Sequence, residues 1–172
     1  MRLLPQVSNP AFVALAAGAL IATVVDIRTR KIPNLLTGSM AAVGLALAAS
    51  GLSGISAAAS LGGMVAGLLL MLPGHALGAT GAGDVKLMAA VGAVLGIHVI
   101  VNAFLFTALA GGVLAVAVAV HRRRLATTVS GTTRLIASPA GARQEIQGAT
   151  KASRFAYGPA IAIGSVIAAL MG

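Results

Sequence analysis

The 172-residue sequence has no cysteine and no tryptophan, one tyrosine, and only three carboxylates: Asp26, Asp84 and Glu145. The lack of cysteine excludes disulfides, cysteine-based zinc or iron–sulfur sites and a thiol nucleophile. With one Tyr and no Trp, the aromatic belt that usually marks a membrane boundary is almost missing. Charged residues make up 9% of the chain, against about 25% in soluble domains. Apolar residues take their place: 58% of the chain is hydrophobic and the mean hydropathy is +1.00. That is about 100 residues, enough for five or six membrane spans of ~17–20 residues. A soluble enzyme, a disordered chain and a small anchor carrying a soluble domain are thereby excluded. Residues 1–172 read as a single integral-membrane domain, an all-α polytopic bundle. The 22 glycines suit close approach of membrane helices.

Local punctuation divides the chain into six spans. The first apolar run, Ala11–Val25, ends in Asp26-Ile27-Arg28-Thr29-Arg30-Lys31. A secretory signal carries its positive charge before the apolar run; here the stronger cluster follows it, so the run reads as span 1. Pro33 resists helix continuation, and Asn34 is expected to cap the next helix. Span 2 covers Leu35–Leu52, Ser53-Gly54 turn the chain, and span 3 covers Ile55–Leu72, where Pro73-Gly74 are expected to stop it. A glycine-rich loop runs from His75 to Asp84. The apolar stretch Val85–Val120 is too long for one helix, and Gly96-Ile97-His98 is the expected break, with His98 in the turn. His121-Arg122-Arg123-Arg124 ends span 5, and a polar, basic loop occupies about 121–155. Span 6 begins near Tyr157-Gly158-Pro159, with Pro159 suited to a first helical turn, and ends at Met171.

A net charge of +9 would suggest a nucleic-acid partner in a soluble protein. Here eleven of the twelve Lys and Arg residues fall in or beside loops 1–2, 3–4 and 5–6, and only Arg2 lies on the other side. The positive-inside rule then makes those loops cytoplasmic, with both termini outside, and removes the need for nucleic acid. The basic stretch 121–154 suits anionic lipid headgroups, with contact to pilus-assembly proteins as the alternative.

Asp26 closes span 1 and Asp84 opens span 4 on the same side of the membrane. Carboxylates at membrane depth are costly and point to function by default. Two neighbouring aspartates do not both ionise easily and tend to share a proton. One can then act as a base on water while the other protonates the carbonyl oxygen or leaving group, with no metal required. Each also has a plainer reading. Asp26 can pair with Arg28 or Arg30 at the interface, and Asp84 can serve as an N-cap. Spacing does not decide between these.

The local motifs do more. Gly81-Ala82-Gly83-Asp84 is a GxGD motif at a helix start and resembles the GxGD membrane aspartic proteases. Together with Asp26-Ile27-Arg28, Lys31-Ile32-Pro33-Asn34, Val85-Lys86-Leu87-Met88 and Tyr157-Gly158-Pro159-Ala160, it makes the chain resemble the type IV prepilin peptidase family from Ala11 to Met171. That resemblance implies that Asp26 and Asp84 are the catalytic pair and that no cofactor or metal takes part. It implies a prepilin substrate, whose short basic cytoplasmic leader is removed, usually after Gly, just before its hydrophobic segment. It also implies a bacterial inner-membrane location with the active site at the cytoplasmic face. Larger members of the family carry a cysteine-bearing cytoplasmic domain and methylate the new N-terminus. This chain has no cysteine and fewer than ten residues between spans 1 and 2. It resembles the short, peptidase-only branch associated with tight-adherence (Flp) pili, and methyl transfer is not expected.

The remaining candidates each have a plainer reading beside any functional one. Gly81 and Gly83 either let the backbone approach a bent peptide or adopt positive φ around the catalytic turn; the plain alternative is a flexible loop. Lys86 biases the charge of the pair, touches substrate, or simply snorkels to the interface. His75, His98 and His121 have no metal-ligand spacing, and Glu145 reads as a solvated charge. Gly63 with Gly67, and Gly92 with Gly96, fit small-xxx-small packing inside one subunit. Two rival functions remain, a small proton-coupled transporter using both aspartates and a non-catalytic pilus-assembly subunit. A transporter would place its acids near mid-membrane.

Overall fold

The structure, a computed structural model, describes residues 9–78, 80–121 and 157–171. Among these residues it is all-helical: α1 (Pro10–Thr29), α2 (Asn34–Ala49), α3 (Ala57–Ala76), α4 (Ala82–Leu95), α5 (Ile97–His121) and α6 (Gly158–Met171). α1, α3 and the Ile97–Ala117 part of α5 are long and apolar enough to cross a membrane, and α2 and α6 are shorter apolar helices. The basic loop beyond His121, with Glu145, lies outside the described residues.

Helix boundaries follow the sequence except at two prolines. α1 starts as expected, its first turn capped by Asn9, whose Oδ1 accepts the Ala11 N–H at 2.9 Å. Gly96, at φ 77°, separates α4 from α5, a backbone conformation that side-chain-bearing residues adopt at a cost. His98 lies in the first turn of α5, not in the break. Pro73 does not stop α3, which continues through it to Ala76. A proline this close to the end removes one hydrogen bond without disturbing the turns that follow. The stop comes at Gly78, at φ 78°, with the Leu77 N–H donating to the Pro73 carbonyl at 3.1 Å. Asn34 does not cap α2. Pro33 occupies the cap position, and the Asn34 side chain is engaged elsewhere.

α4 is the axis of the bundle. Every residue from Asp84 to Val94 except Lys86 is buried, and α4 touches all five other helices. Its small residues permit this. Gly63 of α3 faces the Gly92 carbonyl oxygen, Gly67 faces that of Met88, and Gly44 of α2 faces the Ala93 backbone. The Ser60 hydroxyl donates to the Ala93 carbonyl across the same α3–α4 seam. The two glycine pairs thus pack against each other within one chain, as expected. Many bulky residues point the other way: Leu20, Ile21, Leu69, Leu105, Leu109 and Val113 are exposed along the outer surface. Lipid is as apolar as leucine, so close backbone contact rather than burial of large side chains holds such helices together.

A methyl group at position 63 would overlap backbone atoms of Gly92 and Gly96, which do not rotate away. Gly63→Ala is therefore expected to cost about 1–3 kcal/mol and lower the thermal midpoint in detergent. Gly112→Ala, whose added methyl meets nothing within 4 Å, should leave the midpoint unchanged or raise it.

Candidate active site

Asp26 lies inside α1, one turn before its end. The buried residues of this helix are Ala11, Leu15, Gly18, Ala19, Ala22 and Asp26, at helical spacing. Asp26 thus occupies the place where the next core residue would stand, and it is 5% exposed. Arg28 and Arg30 are exposed. The carboxylate is not a surface partner of those arginines: its Oδ2 accepts the backbone N–H of Gly158, the first residue of α6, at 2.8 Å. Past Asp26 the helix closes on Arg30, held at φ 52°, whose N–H donates to the Asp26 carbonyl at 2.8 Å.

Asp84 stands in the first turn of α4, three residues after the cap position, which Gly81 occupies. It is therefore not the N-cap. Its Oδ2 accepts the Gly81 N–H at 2.9 Å, one half of a capping box. The other half is missing because Gly81 has no side chain. The positive-φ reading of Gly81 and Gly83 is overturned: Gly81 has φ −76°, and neither glycine is among those with positive φ. What both supply is room. A Cβ on Gly81 would stand 3.2 Å from Asp84 Oδ2, and one on Gly83 would stand 3.1 Å from Ile32 Cβ. Ile32, buried in the linker between α1 and α2, thereby seats that linker on the first turn of α4.

These contacts bring the end of α1 and the starts of α4 and α6 to one end of the bundle. Asp26 and Asp84 both stand at that end of the bundle. The arrangement is similar on both sides. Each aspartate commits Oδ2 to a backbone N–H at a helix N-terminus, where the helix dipole favours negative charge. Among the described residues, neither Oδ1 has a hydrogen-bond donor. Two such oxygens can share one proton and act on a water and a carbonyl oxygen placed between them.

Lys86 does not join this pair. Two residues beyond Asp84 on a helix, it points to a different face. It is exposed, and its Nζ donates to Asn34 Oδ1 at 2.8 Å. This is the contact that takes Asn34 away from capping. His75 turns its Nδ1 to the Thr80 carbonyl at 3.0 Å.

Gly158 is the site residue whose role the sequence did not reveal. A Cβ there would stand 2.8 Å from Asp26 Oδ2 and 3.0 Å from Asp26 Cβ, so only glycine lets the start of α6 reach the carboxylate. Tyr157, half-buried, anchors that start by packing its ring over Gly111 of α5. The signal available was the glycine between Tyr157 and Pro159, but a helix start explains that motif equally well.

Compared with known proteins, the model of the type IV leader peptidase family matches residues 13–116, which include both Asp26 and Asp84. No curated protein and no solved structure matches the chain.

Proposed function

The chain belongs to the type IV leader peptidase family, and on that premise we propose that it is an aspartic endopeptidase that removes the leader of a prepilin. The observation that carries this reading is the pair of buried aspartates on different helices, each anchored by one oxygen at a helix start. In the proposed reaction the pair holds one proton. The ionised member takes a proton from water as its oxygen adds to the scissile carbonyl carbon, and the protonated member gives its proton to the carbonyl oxygen. Collapse of the tetrahedral intermediate breaks the C–N bond, and a proton passes to the departing amine. Gly81 and Gly83 shape the site by leaving space, and Lys86 stands outside it.

In this proposal the protein sits in a bacterial inner membrane as six spans with both termini outside, and the site lies at the cytoplasmic face, where a basic leader would be presented. The substrate belongs to the Flp (tight-adherence) class, and the new N-terminus is not methylated. Both acids stand at one end of the bundle, which disfavours the transporter reading. A non-catalytic assembly subunit would have no need of two buried carboxylates.

Reconstituted into vesicles with a Flp-type prepilin, the protein is expected to release the leader, with a bell-shaped pH profile because one proton must remain on the pair. Mass spectrometry should find a free amine on the mature pilin. An intact prepilin in the presence of well-folded enzyme would overturn the peptidase reading. A methyl group that depends on this chain would overturn only the assignment to the peptidase-only branch.

A further inference from the structure

A second feature, which neither aspartate lines, opens on the side of the bundle. α2, α3 and α4 leave between them a groove of about 390 Å³, open toward the surrounding membrane. Its floor is apolar: Ala41, Met64, Leu68, Ala89 and Ala90. Its end nearest the linkers is polar, where Lys86 meets Asn34. Asn34 is exposed and its Oδ1 accepts from Lys86, which leaves the amide Nδ2 with donor capacity. Gly38 forms part of the rim, and a Cβ there would meet nothing within 4 Å.

We propose that this groove binds one anionic phospholipid, its phosphate held by Lys86 Nζ and Asn34 Nδ2 and one acyl chain lying along the apolar floor. Charge complementarity selects the headgroup. The Lys86 ammonium is exposed and bonded to a neutral amide, so it has a full charge to offer. Size selects the tail. The volume corresponds to roughly a dozen units of about 30 Å³, each the share of one water molecule and close to the bulk of a methylene. From Asn34 to Ala41 the groove runs about 10 Å at 1.5 Å per residue, enough for the upper part of one chain.

The test uses the full-length protein in detergent, with retained lipid read by native mass spectrometry after addition of phosphatidylglycerol or phosphatidylcholine. The wild type should retain one phosphatidylglycerol about five- to tenfold more strongly than phosphatidylcholine, the scale of one lysine at an anionic headgroup. Lys86→Gln should bring the two lipids level. Gly38→Leu, which fills the groove and keeps every charge, should reduce retention of both. Both positions are exposed, so the variants should keep the wild-type helix content. Unchanged phosphatidylglycerol retention in either variant would overturn the proposal and place the preference elsewhere, for instance in the basic run 122–124. Gly38→Leu that keeps the lipid but loses binding of the substrate's apolar segment would assign the groove to the substrate instead.

Discussion

Asp84→Asn is expected to leave prepilin uncleaved while the protein inserts, accumulates and keeps its helix content. The substituted amide can still accept the Gly81 N–H through its oxygen, so the start of α4 keeps its local bond. Asparagine is also well tolerated at helix starts. What it lacks is an ionisable oxygen. Removing one member of an acid–base pair costs on the order of 10²–10⁴-fold in rate. Asp26→Asn should do the same, since its amide oxygen can accept the Gly158 N–H in turn. Because the two groups act as a unit, the double variant should be little worse than either single one. Glu145→Gln should cleave at the wild-type rate. The measurement is leader release from prepilin in vesicles, normalised to folded enzyme. Substantial cleavage by a well-folded Asp84→Asn protein would reduce Asp84 to a capping residue and sink the aspartic mechanism.

Gly158→Ala should lower kcat far more than it changes KM. The added methyl would stand 2.8 Å from Asp26 Oδ2 and 3.0 Å from Asp26 Cβ: the carboxylate can swing aside, while the Cβ contact asks α1 and α6 to part by a few tenths of an ångström. Most of the adjustment therefore falls on the carboxylate, which gives up its bond to the Gly158 N–H. A misplacement approaching 1 Å at a catalytic group is worth about 10²-fold. The thermal midpoint of the variant should fall less than that of Gly63→Ala, where the obstacle is backbone at closer range. A stable Gly158→Ala enzyme with unchanged kcat would show that the contact between α6 and Asp26 does not position the reacting group.

The candidate site was legible in part, for a physical reason. Asp26 and Asp84 stood out because acids are rare in this chain and because each sits in a recognisable local motif. The direction of Asp26 was also encoded: Leu15, Ala19, Ala22 and Asp26 recur at helical spacing, which already argues against an interfacial partner of Arg28 or Arg30. The errors at Asn34 and Pro73, and the failure of the plainer N-cap reading of Asp84, share one origin. Each is a residue with a strong local preference, and each found a different arrangement. Asn34 gave its oxygen to a lysine 52 positions away, and Asp84 reached back to the Gly81 N–H from the third helical position. Pro73 was absorbed into the last turn of α3.

The amino-acid sequence by itself determined the all-helical class of the molecule, the order of the helices among the described residues, the break at Gly96 and the two carboxylates on which the proposed function rests. All of these depend on hydropathy and on backbone preferences that act over a few residues. The tertiary structure alone decided that α4 is the axis of the bundle, that the start of α6 closes on Asp26 across 132 positions, and that Lys86 turns away from the aspartates to the groove over α2. The physical reason is that a glycine is mute about its partner. What Gly63, Gly83 and Gly158 contribute is the space beside them, and only the packed chain shows which backbone or carboxylate fills it.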